Sequence, residues 1–268
     1  MVVKTILGFD LDGTLTPRNK FEIYPSGLVE IMNSLSNNGH VCIPVTGKPI
    51  DYVKNIFEIN GLIDSGIIGE NAGTFRKSGS NNVEIFGPGK KTMNLLRQKI
   101  IPSGKSNVTQ ICLENQIYEI VVDPGDVSIL SIFTDPKPVS HRWTFTQTIH
   151  VDDLVKKLRD LIIEEKLDTD LRVLDPFPDG GVQVIRRDSL KNRDIDKSCW
   201  TEVIREMYPE VVNINFAMFG DGHNDIPAMR ADAVMALTFA NANDDVKNFA
   251  KLNNGFVSNS ESPEGLGV

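Results

Sequence analysis

The chain has 268 residues, 40% of them hydrophobic, and a formal net charge of −8 at pH 7. This acidic balance argues against a nucleic-acid partner, which would need a basic face, and no apolar run approaches the roughly 20 residues that span a bilayer. The three cysteines form no CxxC pair, so we expect free thiols in a reducing compartment and hence a cytoplasmic protein that contacts neither nucleic acid nor membrane.

The first part of the chain alternates strand and helix patterns. Residues 5–9 and 41–45 are short apolar runs typical of buried parallel strands. Apolar residues recur at helical spacing over 28–35, and a second helix can start at Pro49. A third strand at 67–68 completes a β-α-β-α-β order, which predicts a parallel sheet with right-handed crossovers.

The pattern changes near residue 78. Strand candidates and one strongly amphipathic helix follow, at 83–86, 117–122, 127–133, 182–187 and, for the helix, 152–166. This mixture predicts an inserted α+β domain over residues 79–187 with antiparallel strand pairs. The insert carries a net charge of −1, whereas the two flanks together carry −7.

From residue 188 the alternation resumes. Helices are predicted over 198–208, 225–232 and 243–252, and strands over 211–219, 234–239 and 255–257. The predicted fold class is therefore α/β. A doubly wound, Rossmann-like parallel-sheet core of residues 1–78 and 188–268 is interrupted by the α+β domain at 79–187.

Polar clusters stand where the predicted core strands end, and ligands of open parallel sheets bind at those carboxyl ends. They are Asp10-Leu11-Asp12-Gly13-Thr14-Leu15, Thr46-Gly47-Lys48-Pro49 and Gly220-Asp221-Gly222-His223-Asn224-Asp225, with Lys197 at the start of a helix. Asp10 and Asp12 on one tight loop repel each other, and Asp221 and Asp225 add two more carboxylates. An oxygen-only set of this kind favours Mg²⁺ over zinc.

The same clusters contain groups suited to a phosphate. Gly13 lets the loop backbone approach a phosphate closely, Thr46 offers a hydroxyl, and Lys197 offers a point charge. A carboxylate can act as a nucleophile by forming an aspartyl-phosphate. Together these parts suit phosphoryl transfer, in which catalysis is mostly positioning and charge stabilisation.

In their order and approximate spacing, these motifs resemble those of haloacid dehalogenase-superfamily phosphatases with a type-II cap. The similarity is to the Cof-type and archaeal phosphoglycolate phosphatase-like branch; it covers both flanks, and the insert by position and strand pattern only. It implies a nucleophile and Mg²⁺ ligand at Asp10, and an acid/base at Asp12 whose backbone carbonyl also reaches the metal. It implies a direct metal ligand at Asp221, and at Asp225 either a metal ligand or a residue that supports the ligands. The residues that it implies for phosphate or substrate binding are Gly13, Thr46, Gly47, Lys197, Asn224 and Asn71.

Three positions leave alternatives open. Lys197 is followed by Ser198, where the family usually has Gly, and Lys191 is a rival whose spacing to the last motif fits less well. Asn71 lies either near the substrate or in a strand-end turn. Lys48, where relatives often carry Arg, either touches the leaving group or lies at the rim of the site.

The resemblance implies that the insert is a cap that closes over the site and selects the leaving group. Candidates in it for binding a second anionic group of the substrate are Arg142, Arg172, Arg186 and Arg187, which are otherwise surface charges.

We expect Mg²⁺-dependent hydrolysis of a small phosphomonoester, a sugar phosphate or a phosphoglycolate-like compound, through an aspartyl-phosphate. The partner is a small phosphorylated metabolite, and the protein is a monomer or a small homo-oligomer. Two alternatives are a phosphomannomutase-like phosphosugar mutase, since such enzymes share the Asp12–Pro17 motif DGTLTP, and a catalytically inactive regulatory protein.

Overall fold

The structure is a computed structural model that describes residues 5–17, 20–25, 27–101, 110–113, 116–119, 121–122, 128–133, 150–175, 181–210, 214–259 and 261. The chain divides into two units. The core unit comprises Met1–Phe86 and Asp196–Val268, and the inserted unit comprises Gly87–Ile195.

The core unit is built from strands and helices that alternate along the chain. In the first segment they are β1 Thr5–Phe9, α1 Gly27–Asn37, β2 Val41–Pro44, α2 Ile50–Asn60, β3 Ile67–Gly69, β4 Thr74–Arg76 and β5 Glu84–Ile85. The inserted unit interrupts this series. Its elements are α3 Lys90–Ile100, β6 Gln110–Leu113, β7 Gln116–Glu119, β8 Val121–Val122, β9 Leu130–Phe133, α4 Val151–Glu164, β10 Leu171–Val173, β11 Gly181–Asp188 and β12 Arg193–Asp194. The second core segment contains α5 Trp200–Met207, β13 Asn215–Phe219, α6 Ile226–Met229, β14 Val234–Thr238, α7 Asp244–Leu252 and β15 Phe256–Val257.

Five strands of the core unit form one parallel sheet in the order β15-β14-β13-β1-β2. Alternate residues of a strand face opposite sides, so Ile6 packs with α5, α6 and α7 while Phe9 packs with α1 and α2. Helices thus cover both faces, as parallel sheets require. The predicted doubly wound α/β class with an inserted α+β unit is confirmed.

The third predicted strand joins the core differently from the others. β3 touches the central sheet through a parallel bridge between Val45 and Ile68, and it then leads an antiparallel sheet in the order β3-β4-β5. Because β5 pairs with β4, residues 79–86 belong to the core unit. Because β12 pairs with β11, residues 188–195 belong to the inserted unit. Both boundaries therefore fall later in the chain than those predicted, at 87 and 196 instead of 79 and 188.

The inserted unit is an antiparallel sheet packed against helices. Its strands lie in the order β10-β11-β9-β8, with β12 added to β11, and α3 and α4 bury their apolar sides in a shared core. Helix α3 was not predicted, although Met93, Leu96 and Ile100 follow helical spacing. The strand predicted at 117–122 is two strands, β7 and β8, and residues 211–213 of another predicted strand lie outside the described residues.

None of the described helices has the length and apolar character that crossing a membrane requires.

An ion pair between the buried Arg76 and the partly exposed Asp64 fixes the β3-β4 hairpin. Both terminal nitrogens of Arg76 donate to the Asp64 carboxylate, at 2.9 and 2.7 Å, and the amides of Gly66 and Gly79 donate to it at 3.0 Å each. Burial opposes the charge, but these hydrogen bonds outweigh it and hold the pKa of Asp64 below its ordinary value. Bidentate pairing with Arg gives both strength and orientation.

We expect Asp64→Asn to lower the free energy of unfolding by about 1 kcal/mol at pH 7, since hydrogen bonds to a charged group contribute about 1.5–3 kcal/mol and solvent screening at the partly exposed carboxylate reduces this. A carboxyl with a depressed folded pKa contributes its full stability above the unfolded pKa of about 4 and loses it as the pH falls through the folded pKa. The difference between wild type and variant, measured by urea denaturation from pH 7 to pH 3, should therefore shrink below pH 4. Asp232→Asn, at an exposed position, is the control. A pH-independent difference would show that the charge of Asp64 does not matter.

Candidate active site

The carboxyl ends of two neighbouring strands bring the first and last motifs together. Asp10 directly follows β1, and Asp221 lies one residue beyond the Gly220 that follows β13. The two strands pair in parallel register, and the Asp10 amide continues the pairing by donating to the Phe219 carbonyl at 3.0 Å. Residues more than 200 positions apart in sequence thus share one sheet edge.

The turn after β1 leaves no room for a side chain at Gly13. Its φ is +85°, which favours glycine, and a Cβ there would lie 2.4 Å from Asp221 Oδ2. The next residue fixes the same carboxylate, because the Thr14 hydroxyl donates to Asp221 Oδ1 at 2.8 Å. Sequence reasoning missed this role of Thr14, which depends on two loops meeting.

Lys197 lies between two of the carboxylates. Its Nζ donates to Asp10 Oδ1 and to Asp225 Oδ1, each at 2.7 Å, and its side chain is 2% exposed. The turn that carries it is anchored by the fully buried Trp200, whose indole N–H donates to the Ala228 carbonyl at 3.0 Å. The rival Lys191 is exposed in the turn between β11 and β12 of the inserted unit.

Asp225 is fully buried and is also held by the backbone. Its Oδ2 accepts hydrogen bonds from the amides of Asp221 and Gly222, both at 3.1 Å. Gly220 makes this approach possible, since a Cβ there would lie 2.5 Å from Asp225 Cβ. The carboxylate is therefore fixed in position before any ligand arrives.

Asp10, Asp221 and Asp225 form a group that fits a metal ion. One oxygen from each lies within 4.8 Å of the others, and all three residues are buried. With Lys197 the group has a formal charge of −2 when every carboxyl is ionised. Three carboxylate oxygens are hard donors that suit Mg²⁺, which also binds water and phosphate oxygens. This donor set fits the ion expected from the sequence.

The pKa of Asp10 is shifted by burial and by the charges around it. Burial, together with the charges of Asp225 and Asp221, raises the pKa of Asp10 to about 7, although the Lys197 ammonium and its hydrogen bond lower it. For Lys197, burial lowers the pKa, but the two carboxylates outweigh this effect and the pKa is raised, so the lysine stays charged. A bound divalent cation would favour the ionised form of Asp10.

Asp12 lies apart from this group. Its Oδ2 pairs with Lys48 Nζ at 2.9 Å, and the Asp12 carboxylate is about a quarter exposed, at 26%. Burial lowers the pKa of Lys48, but attraction to Asp12 and their hydrogen bond outweigh burial, so the pKa is raised. The group of described carboxylates that lie close enough to share a metal ion does not include the side chain of Asp12. Its predicted contact with the metal through the backbone carbonyl stays a prediction.

The loops that follow β2 and β3 are joined to each other by hydrogen bonds. Thr46 is buried, its hydroxyl accepts from the Lys48 amide at 3.2 Å, and its carbonyl accepts from the Asn71 amide at 2.9 Å. The Asn71 carboxamide oxygen lies beside Gly47, 3.2 Å from where a Cβ would stand. Asn71 has φ +54°, and both of its neighbours also have positive φ. Three consecutive non-glycine residues in this region are strained, which is typical of functional segments.

Other predicted residues lie outside this arrangement. Asn224 is exposed on its loop, with its carboxamide oxygen close to Gly222, so its contact with phosphate or Lys197 stays a prediction. Arg142 lies outside the described residues. Arg172 and Arg187 both pair with Asp194 in the inserted unit.

Arg186 is not the free cation that its sequence position suggested. It is 1% exposed, and it donates to the hydroxyl of Ser128 at 2.7 Å and to the carbonyls of Gly87 and Pro88 at 3.2 and 2.6 Å. These hydrogen bonds hold Gly87 and Pro88, the first residues of the inserted unit, against β11. These contacts give Arg186 a structural role, and its burial shows that it is not a surface charge. Binding of a substrate anion by Arg186 stays a prediction.

The whole chain is similar in structure to known hydrolases. A haloacid dehalogenase-like hydrolase from Bacteroides thetaiotaomicron aligns with TM-score 0.62 and 16% identity, over 97% of this chain and 96% of the other. A subclass IIB sugar phosphatase of the haloacid dehalogenase superfamily aligns with TM-score 0.54 and 17% identity, over 98% and 95%. The sucrose-phosphatase from Synechocystis, solved with sucrose and phosphate, aligns with TM-score 0.54 and 12% identity, over 97% and 94%.

The chain has the haloacid dehalogenase-like fold. No protein-family model and no curated protein matches its sequence. At identities this low the haloacid dehalogenase-like fold is what the similarity shows. Activity must be argued from the residues at the strand ends.

We expect Mg²⁺ to raise the unfolding temperature at pH 8, since a ligand at 100 times its Kd stabilises by about 2.7 kcal/mol. Asp221→Asn should abolish the shift, because one of the three oxygens becomes a neutral amide. Asp160→Asn, at an exposed position of α4, should keep it. Differential scanning fluorimetry with and without Mg²⁺ measures the effect. An equal shift in wild type and Asp221→Asn would place the ion elsewhere.

The affinity for Mg²⁺ should depend on pH in a defined direction. In the metal-free protein Asp10 keeps its proton below about pH 7. Metal binding requires the ionised carboxylate, so below this pH the ion must displace a proton, and the apparent affinity should fall by up to about tenfold per pH unit. Calorimetric titrations with Mg²⁺ at pH 8, 7 and 6 test this. A constant affinity would contradict the raised pKa of Asp10.

Proposed function

We propose that the protein is a Mg²⁺-dependent phosphatase that hydrolyses a small phosphomonoester through an aspartyl-phosphate on Asp10. The observation that carries the proposal is the buried group in which Lys197 joins Asp10 and Asp225 beside Asp221. A simple structural ion pair would not need three buried carboxylates around one ammonium, because the excess negative charge destabilises the fold.

Asp10, Asp221 and Asp225 would hold Mg²⁺, which supplies positive charge to the phosphoryl oxygens when bound. Residues of the chain would neutralise charge, orient the nucleophile and bind the phosphoryl group. Lys197 neutralises part of the charge and orients Asp10, whose second carboxylate oxygen is available for attack. Thr46 offers a hydroxyl donor to the phosphoryl group. The amides of Gly13 and Thr14 donate to carbonyls within their own turn, so the role predicted for Gly13 is to let the loop approach closely.

The reaction proceeds in two displacements at phosphorus. In the first, a carboxylate oxygen of Asp10 forms a bond to phosphorus, the bond from phosphorus to the ester oxygen breaks, and Asp12 gives its proton to the departing oxygen. In the second, water attacks the phosphorus, Asp12 takes the proton of that water, and the bond to Asp10 breaks to release inorganic phosphate. Asp10 and Asp12 return to their starting states.

The substrate class that we propose is a sugar phosphate or a phosphoglycolate-like compound. Two of the similar structures are described as sugar phosphatases, one of them with sucrose and phosphate bound, and this favours the sugar phosphate. The partner of the protein is accordingly a small phosphorylated metabolite.

We expect Asp10→Asn to lower phosphate release by at least about a thousandfold, since removing a nucleophile costs this much or more. Phosphate is measured in a screen of phosphorylated metabolites and p-nitrophenyl phosphate, with and without Mg²⁺. The matched control is Asp51→Asn, at an exposed position of α2, and circular dichroism confirms folding of both variants.

Three results would contradict this proposal. Activity that survives in Asp10→Asn would show that Asp10 is not the nucleophile. Phosphate release that requires a sugar bisphosphate activator would favour the mutase. No turnover of any compound by wild type would favour an inactive, regulatory protein.

A further inference from the structure

The mechanism proposed above gives no role to Lys48. Its ammonium lies 2.9 Å from Asp12 Oδ2 and 5.1 Å from the centre of the Tyr52 ring. The charge is thus placed between a carboxylate and an aromatic face, and both attract a cation. At 28% exposure the side chain is mostly withdrawn from water, so the contact with Asp12 is weakly screened.

The backbone of Lys48 is held as firmly as its side chain. Its amide donates to the Thr46 hydroxyl at 3.2 Å, and its carbonyl accepts from the Glu70 amide at 3.0 Å. Glu70 belongs to the strained segment with positive φ described above. These two hydrogen bonds fix the backbone of Lys48 and therefore the point from which its side chain extends. Less conformational entropy is then lost when the ammonium pairs with Asp12.

Tyr52 is fixed in turn. It lies in the first turn of α2, four residues after Lys48, and its ring packs against Phe21 with 4.9 Å between centroids. Its hydroxyl oxygen is buried and has no hydrogen-bond partner among the described residues, so the ring is what Tyr52 offers to Lys48.

The two carboxylates of the proposed reaction therefore have separate lysines. Lys197 binds Asp10 and Lys48 binds Asp12, through pairs of 2.7 and 2.9 Å. Because Lys48 Nζ lies 2.9 Å from Oδ2 of Asp12, the rotation of that carboxyl is restricted. A group that must deliver a proton to a departing oxygen gains most from such orientation, and a small misplacement can cost about a hundredfold in rate.

We infer that Lys48, backed by the ring of Tyr52, is a positioning residue that orients Asp12 for proton transfer to the leaving group. This inference rests on the proposed function, because Asp12 must be the acid of the phosphatase reaction. It gives Lys48 a role through Asp12 and separates it from the cations that neutralise the phosphoryl group.

Two substrates of nearly the same shape test the inference. Phenyl phosphate and p-nitrophenyl phosphate differ chiefly in how well the departing oxygen bears negative charge, so phenol needs a proton from Asp12 and p-nitrophenol needs it far less. The value of kcat/KM reports the transfer to Asp10, which is the step that expels the leaving group. Lys48→Met removes the ammonium and keeps the length of the side chain.

We expect Lys48→Met to lower kcat/KM by about a hundredfold for phenyl phosphate and by less than about tenfold for p-nitrophenyl phosphate. Lys48→Arg should restore most of the loss for phenyl phosphate, because it returns a cation to Asp12. Lys54→Met is the matched control, since Lys54 lies on α2, is 44% exposed and approaches Glu58 only to 3.9 Å. It should match wild type on both substrates.

The ring of Tyr52 is tested in the same way. Tyr52→Phe keeps the aromatic face and should match wild type, whereas Tyr52→Leu should reproduce part of the loss that is selective for phenyl phosphate.

Equal losses of Lys48→Met on the two substrates, or no loss on either, would overturn the inference, since a merely structural effect does not depend on the leaving group. If wild type hydrolyses neither of these compounds nor any compound of the metabolite screen, the proposed function itself fails. The two failures are therefore distinguishable.

Discussion

The rest of the site depends on the Lys197 ammonium, which is buried between Asp10 and Asp225. Three carboxylates withdrawn from water would repel one another and take up protons if no positive charge were near. Lys197 compensates for one of the charges, but burial and the charges of Asp225 and Asp221 keep the pKa of Asp10 raised to about 7. The site thus has an excess of negative charge that a divalent cation would reduce, which is a reason to expect a site that binds metal and phosphate and not only a structural ion pair.

The parallel sheet is what makes this arrangement possible. β1 and β13 pair side by side, so the loops that follow them meet although the whole inserted unit lies between them in sequence. Contacts as close as 2.7 Å then join Asp10 to Lys197 across 187 positions. The insertion leaves the catalytic edge intact because the chain leaves the core after the β3-β4-β5 sheet and returns just before Lys197.

The sequence predicted the fold class and the meeting of the strand-end motifs, because loops at the carboxyl ends of parallel strands must share one edge. It could not predict that Lys48 pairs with Asp12, since this depends on how far one side chain reaches between two loops. Arg186 was ranked among candidate anion binders because composition alone shows a charge. Yet strand alternation puts it on the same side as Val182 and Val184, which face the core of the inserted unit. Helix α3 was missed because its short apolar stripe is surrounded by polar residues.

The central claim is that Asp10, held by Lys197, accepts a phosphoryl group. The most direct test is to mix the wild-type protein with Mg²⁺ and the best substrate of the metabolite screen, quench with acid within the first turnovers, and map phosphorylated peptides by mass spectrometry. The account predicts that phosphate is attached to Asp10 and that the modification disappears once the substrate is exhausted. Phosphate on another residue, or turnover with no phosphorylated peptide at any quench time, would contradict it.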